Sequence, residues 1–221
     1  MKVADFIAEF RRVTGDKAAP FLWADADVLA FLNDAINEAC ERALLLEDRL
    51  SARVCTLILV AGQDTYRLHD SVIRVKRVTF RGRPLDETSV EAEDGNDGNW
   101  ETRTGEPRRF IQTEGRLRLV PTPTADQADE ELGLTVYRRP LEPRTLQGDT
   151  ASAPELPERY HLRLMNWVYK RAYSVDDPEI ADPARADRFD RLFAGDFGDR
   201  IDANVQRKQR DRKPPVTRFR F

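Results

Sequence analysis

The stretch Glu155–Gly198, ELPERYHLRLMNWVYKRAYSVDDPEIADPARADRFDRLFAGDFG, holds most of the aromatic weight of the second half of the chain. It reads as two helices with a break between them. Pro157 suits a first helical turn, where its missing N–H removes a donor that would lack a partner anyway. Leu162, Met165, Tyr169 and Ala172 recur at three- and four-residue spacing, and Leu164, Trp167 and Val168 widen the stripe. An arc this broad faces more than one neighbour. Asp176, Asp177 and Pro178 end the first helix, and Asp182 then stands as N-cap with Pro183 as the first residue of the second. Phe189, Phe193 and Phe197 form an aromatic ridge that Ile201 and Val205 prolong, which predicts a helix to about Arg212, before Pro214-Pro215. Such helices need a partner, and the other strong helical pattern lies at the opposite end of the chain.

There, Val3, Phe6, Ile7, Phe10 and Val13 share one helical face, and Thr14 to Pro20 reads as a loop. Asp25 can cap a second helix, expected to run to about Leu46, with Leu29, Leu32, Ile36, Ala39, Cys40 and Ala43 as its buried stripe. At Ser51 the period turns extended. Strands are expected at Val54–Val60, Val72–Phe80, Phe110–Thr113, Arg116–Val120 and Leu132–Tyr137, the third and fourth as a hairpin around Glu114-Gly115. The expectation is an α+β fold: a helical layer built from both chain ends, an inserted small antiparallel β lobe and an extended C-terminal tail. The boundaries are N-terminal helices over 1–50, a β-rich insertion over 51–140, a link over 141–156, C-terminal helices over 157–205 and a tail over 206–221.

The chain is 40% hydrophobic and 34% charged, so a core is possible while much of the surface stays polar. No apolar run is long enough to span a bilayer, and the N-terminus lacks the layout of a signal peptide, which points to a cytoplasmic setting and no membrane partner. Cys40 and Cys55 read as buried reduced thiols. The net charge is -3, but Gln206–Phe221 has seven basic residues against Asp211 alone, so the tail carries +6 and the rest of the chain -9. Carboxylates concentrate in two expected loops, Asp86–Glu106 with eight against Arg103, and Asp126–Glu131.

Catalytic and metal chemistry find little support. With Gly98 at the sixth position of a calcium loop, Gly95 would fall at the third and Thr104 at the twelfth, and neither supplies a carboxylate. His69 and His161 lie far from Cys or carboxylate at zinc spacing, and there is neither a phosphate-cradling glycine loop nor a nucleophile elbow. No catalytic residue, metal ligand or cofactor is therefore expected. A small hydrolase or nuclease would need scattered carboxylates to converge in a cleft. The tail admits three readings: a solvated segment, a nucleic-acid arm with two aromatics for stacking, or a docking peptide in which alternating Arg218-Phe219-Arg220-Phe221 puts both rings on one wall.

Several stretches carry a family likeness in order: WADADVLAFLNDAINEA (Trp23–Ala39), GQDTYRL (Gly62–Leu68), GEPRRF (Gly105–Phe110), RLRLVPTP (Arg116–Pro123), then ELPERY with the aromatic helix and the spaced phenylalanines. The chain resembles the head-to-tail adaptor, or neck, proteins of tailed bacteriophages, the group with gatekeeper and tail tubular A proteins. The resemblance implies a virion protein assembled in the host cytoplasm into a ring of about twelve copies. Its partners would be the portal protein, a tail or nozzle protein, copies of itself, and genomic DNA that passes without sequence-specific binding. The tail would grip the portal through Arg207, Lys208, Arg210, Arg212, Lys213, Arg218, Phe219, Arg220 and Phe221. Channel-facing or tail-facing candidates are Glu91, Glu93, Asp94, Asp97, Asp126, Asp129, Glu130 and Glu131. The alternative is a DNA-binding or regulatory protein that uses the basic tail.

Overall fold

A computed structural model describes residues 1–148 and 151–200 of the protein. In chain order the elements are α1 (Val3–Thr14), α2 (Asp25–Ala43), β1 (Leu46–Asp48), α3 (Ala52–Cys55), β2 (Thr56–Ile58), β3 (Thr65–Arg67) and β4 (Val72–Phe80). There follow β5 (Arg83–Glu87), α4 (Val90–Asn96), β6 (Arg109–Thr113), β7 (Arg116–Val120), β8 (Glu131–Arg138), α5 (His161–Tyr173) and α6 (Pro183–Phe197). The fold is mixed α and β. The chain divides into one unit of Met1–Leu46 with Arg138–Arg200 and another containing Glu47–Tyr137.

In the first unit α5 is the central element, as its broad apolar arc requires. Its Tyr169 ring stacks on Phe10 of α1 at 5.9 Å and meets Phe189 of α6 at 4.9 Å. Trp167 packs on Phe193 at 4.9 Å, and its indole N–H donates to Asp34 of α2 at 2.8 Å. Helices from both ends of the chain thus share one core, with Phe6, Phe10, Leu32, Leu164 and Phe193 almost fully buried. Asp182 caps α6 by accepting the Arg185 amide at 3.0 Å, with Pro183 in the first turn. The irregular link is tied to α2 through Asn33, which donates to the Arg144 carbonyl and accepts its amide.

Three details differ from the periodic reading. Leu162 is 64% exposed, because α5 starts at His161 and Pro157 precedes only a short 3-10 turn, Glu158–Tyr160. The buried arc of that first turn runs through His161, packed on Phe6, and Leu164, and Leu162 lies off its edge. Helix α2 stops at Ala43, with Leu44 in the left-handed region at φ 51°. Helix α6 stops at Phe197, since Gly198 at φ 87° and ψ 167° turns the chain out of the helix. The rest of the expected extension, from Ile201 on, lies outside the described residues.

In the second unit an eight-stranded sheet has the order β1-β8-β4-β5-β6-β7-β3, with β2 also paired to β8. The hairpin β6–β7 forms in the expected register, Thr113 opposite Arg116 and Phe110 opposite Leu119. Gly133 of β8 sits against β4, where an added Cβ would lie 2.8 Å from Thr79 Oγ1. The segment Val54–Val60 departs from a plain strand. Asp48 accepts the Leu50 and Ser51 amides, Ser51 then opens the one-turn helix α3, and Val54 and Cys55 are buried in succession instead of alternately. Local hydrogen bonding overrides the β-branched preference here.

The sheet is also not purely antiparallel, because β5 and β6 pair in parallel, Asp86 opposite Arg109 and Glu87 opposite Phe110. A parallel pair needs a crossover connection of about a dozen residues or more. The acidic stretch expected to be a loop supplies it, as the helix α4 and a 3-10 turn at Trp100–Thr102.

Candidate assembly surfaces

The acidic crossover is built on its own small core. Ser89 caps α4 by accepting the Ala92 amide, and Glu91 and Glu93 fall in the first turn, where negative charge suits the helix dipole. Trp100 is buried against Ile111 and Val120 of the β6–β7 hairpin. Its indole N–H donates to Asp94 at 2.7 Å, and the Arg118 guanidinium lies 4.5 Å from the ring centroid. Arg118 also pairs with Asp64 at 2.7 Å and Glu101 at 2.8 Å, so one arginine fastens the crossover to the hairpin.

This order divides the eight acidic residues expected on a channel or tail-facing surface. Glu93 is corrected: it is 1% exposed, accepts from Thr88 Oγ1 at 2.7 Å and pairs with Arg109 at 3.0 Å, so it faces no surface of this chain. Asp94 holds the Trp100 indole, and Asp97 pairs with Arg103 at 2.7 Å. Glu130 is gripped by Arg81, which reaches Glu106 at 3.1 Å as well, and the Arg81 hydrogen bonds hold the Glu130 carboxyl below the usual range. Glu91, Asp126, Asp129 and Glu131 are exposed, with no ion pair among the described residues. Half of the set is therefore engaged internally and half is presented outward. The spacing in sequence carries no signal for Glu93; only the apolar Trp100 nearby hinted that the stretch had something to pack.

The expected portal-binding residues, Arg207, Lys208, Arg210, Arg212, Lys213, Arg218, Phe219, Arg220 and Phe221, lie outside the described residues. The point from which that tail departs is described. Arg42, half of a buried pair with Glu38 at 2.8 Å, donates to the Gly198 carbonyl at 3.1 Å. Its guanidinium lies 5.1 Å from the Trp167 and Phe193 ring centroids. Arg200 approaches Glu38 at 3.6 Å and Glu41 at 3.8 Å. Residues 198–200 are thereby tied to α2, a feature invisible in sequence because the partners are more than 150 positions apart.

Both cysteines are buried and neither is in a disulfide, and burial pushes the Cys40 thiol up to about 12. His161 is buried, its Nε2 donating to the Leu156 carbonyl at 2.9 Å, which leaves Nδ1 to accept from the N-terminal ammonium at 2.9 Å. Among the described residues no His, Cys, Asp and Glu group has the arrangement of a metal site, and no helix is long and apolar enough to cross a membrane.

The model of the SU10 adaptor protein family matches residues 1–218, so the chain belongs to that family of phage structural adaptor proteins. This agrees with the resemblance to head-to-tail adaptors of tailed phages. No curated protein matches the chain.

Proposed function

We propose that the protein forms a ring between portal and tail, extends the DNA channel and provides the surface to which the tail attaches. The observation that carries this reading is the extent of the family match, residues 1–218, which takes in both units and nearly the whole basic tail. Charge distribution supports it. Glu91, Asp126, Asp129 and Glu131 contribute to a channel wall or tail-facing surface, where carboxylates repel phosphates and let DNA slide.

Gln206–Phe221 docks on the portal. Its seven cations pair with carboxylates there, which speeds encounter and weakens with salt. Phe219 and Phe221 each add on the order of 1.5–3 kcal/mol if fully buried in pockets. Neighbouring copies in a ring hold one another's tails at high effective concentration, so a modest gain per subunit multiplies. The test is a chain truncated after Asn204 and mixed with purified portal. A folded subunit that fails to remain attached is expected. Attachment equal to that of the full chain would leave the tail as a solvated or DNA-directed segment.

A further inference from the structure

The outer edge of β2 leaves the sheet unfinished. Strand β2 pairs with β8 on one side, Thr56 opposite Gly133 and Ile58 opposite Glu131, and no strand among the described residues lies on its other side. Leu59 continues the ladder: its amide donates to the Glu130 carbonyl and its carbonyl accepts the Asp129 amide, both at 2.9 Å. Bonding alternates along an antiparallel pair, so Ile58 turns its N–H and carbonyl away from β8. The amides on either side are taken, that of Thr56 by the Ala52 carbonyl and that of Val60 by the Tyr66 hydroxyl at 3.0 Å. The Ile58 N–H and carbonyl have no partner among the described residues. Ile58 is 48% and Val60 49% exposed, while Leu59 between them is fully buried. An unpaired edge with exposed β-branched side chains accepts another strand readily, and proteins commonly blunt or cover it.

This edge is also acidic. Glu131 stands beside Ile58 on the same face of the pair. Asp129 lies opposite Leu59 with φ 63°, and Asp126 is in the 3-10 turn Ala125–Gln127 just before it. These three carboxylates are exposed and have no ion-pair partner among the described residues; Glu130, held by Arg81, is not counted with them. The far edge of the sheet has the opposite sign, since β3 sets Arg67 directly across from Arg116. The chain holds a segment whose chemistry matches the β2 edge. Val216–Phe221, VTRFRF, is β-branched and aromatic, carries no carboxylate side chain, and alternates arginine with phenylalanine.

We propose that Val216–Phe221 adds as a strand to the outer edge of β2 in a subunit that has not met the portal. With a period of two, Arg218 and Arg220 fall on the face of Ile58. Their methylene stems cover Ile58 and Val60, and their guanidinium groups reach Glu131 and Asp129. Phe219 and Phe221 fall on the opposite face, that of Leu57, and the Ile58 N–H and carbonyl gain backbone partners. The inference goes beyond the portal reading. The portal competes for the same segment, and transfer of the tail to it uncovers Asp126, Asp129 and Glu131 for later contacts.

The test is amide hydrogen exchange on the full chain without portal, read at Ile58. Pairing with the tail should slow that amide about tenfold relative to the full-length variant with Arg218→Glu and Arg220→Glu. Phe219→Ala with Phe221→Ala should lose the protection as well, and high salt should weaken it. Asp129→Arg with Glu131→Arg should lose it too, and regain it when combined with the two tail substitutions to Glu. The Leu59 amide, which bonds to β8, should stay protected in every variant and so reports that the sheet is intact. Exchange at Ile58 that is the same in the wild type and in the tail variants, fast or slow, would overturn the assignment. Attachment to the portal is read separately on the truncated chain, so either reading can fail while the other stands.

Discussion

Glu93 stands among eight carboxylates in Asp86–Glu106, yet its neighbours in space are Thr88 and Arg109. Removing a buried partner strands the other group, so Glu93→Ala should cost about 1–3 kcal/mol, discounted for the part of Arg109 that remains wet. Glu93→Gln keeps the shape and the Thr88 contact and should cost less. Urea denaturation compares the two, and equal stabilities of both variants and the wild type would show the carboxylate to be idle. Cys40 offers a pH test. Its thiol goes from an ordinary 9.0 to about 12 in the folded chain, so the folded state keeps a proton that the unfolded state loses. Below pH 9 that stabilisation is fully present. Between there and about 12 it is lost, at up to about 1.4 kcal/mol per pH unit. Burial also raises Tyr66 and Tyr169, which add to the same alkaline loss. Cys40→Ala should therefore show a shallower fall in stability above pH 9 than the wild type, read by denaturant midpoints across that range.

At the scale of the element, α5 and α6 depend on which face meets a neighbour. Phe193 touches Trp167 and Phe197 and is 0% exposed, so Phe193→Ala should cost about 3–5 kcal/mol. Leu162 belongs to the same periodic stripe as Met165 and Tyr169 but is exposed, and Leu162→Asp should stay within about 0.5 kcal/mol of wild type. Thermal unfolding separates them, and a Leu162 penalty of the same size as that of Phe193 would refute the assignment. The acidic crossover depends on Trp100. Trp100→Ala removes its small core and should raise amide exchange across residues 90–103, while β4 and β7 stay protected. Uniform exchange throughout the sheet would instead mean that the crossover and the sheet open as one piece.

For the whole molecule, the separation of charge sets how the protein meets DNA. With +6 in the tail and -9 in the rest, the free chain should bind duplex DNA weakly, without sequence preference and through the tail alone. Truncation after Asn204 should abolish that binding and its salt dependence, measured by fluorescence anisotropy. Sequence-selective binding by the full chain would favour the regulatory alternative over an adaptor.

Where a residue's role depends on neighbours within a turn or two, it can be read along the chain. The Asp182-Pro183 helix start, the spaced phenylalanines, the β6–β7 hairpin and the family likeness all rest on such local periods, and each appears in the protein. Partnership across large separations leaves no local trace. Arg42 reaches the Gly198 carbonyl, Asn33 holds Arg144, and Arg118 gathers Asp64 and Glu101 through contacts made only after the chain has folded back on itself. The same holds for the parallel pairing of β5 with β6, which turned a run of acids from a presumed loop into a crossover. A carboxylate looks the same in sequence whether it meets water or a guanidinium. Its charge is intrinsic to the residue, and its exposure belongs to the packing.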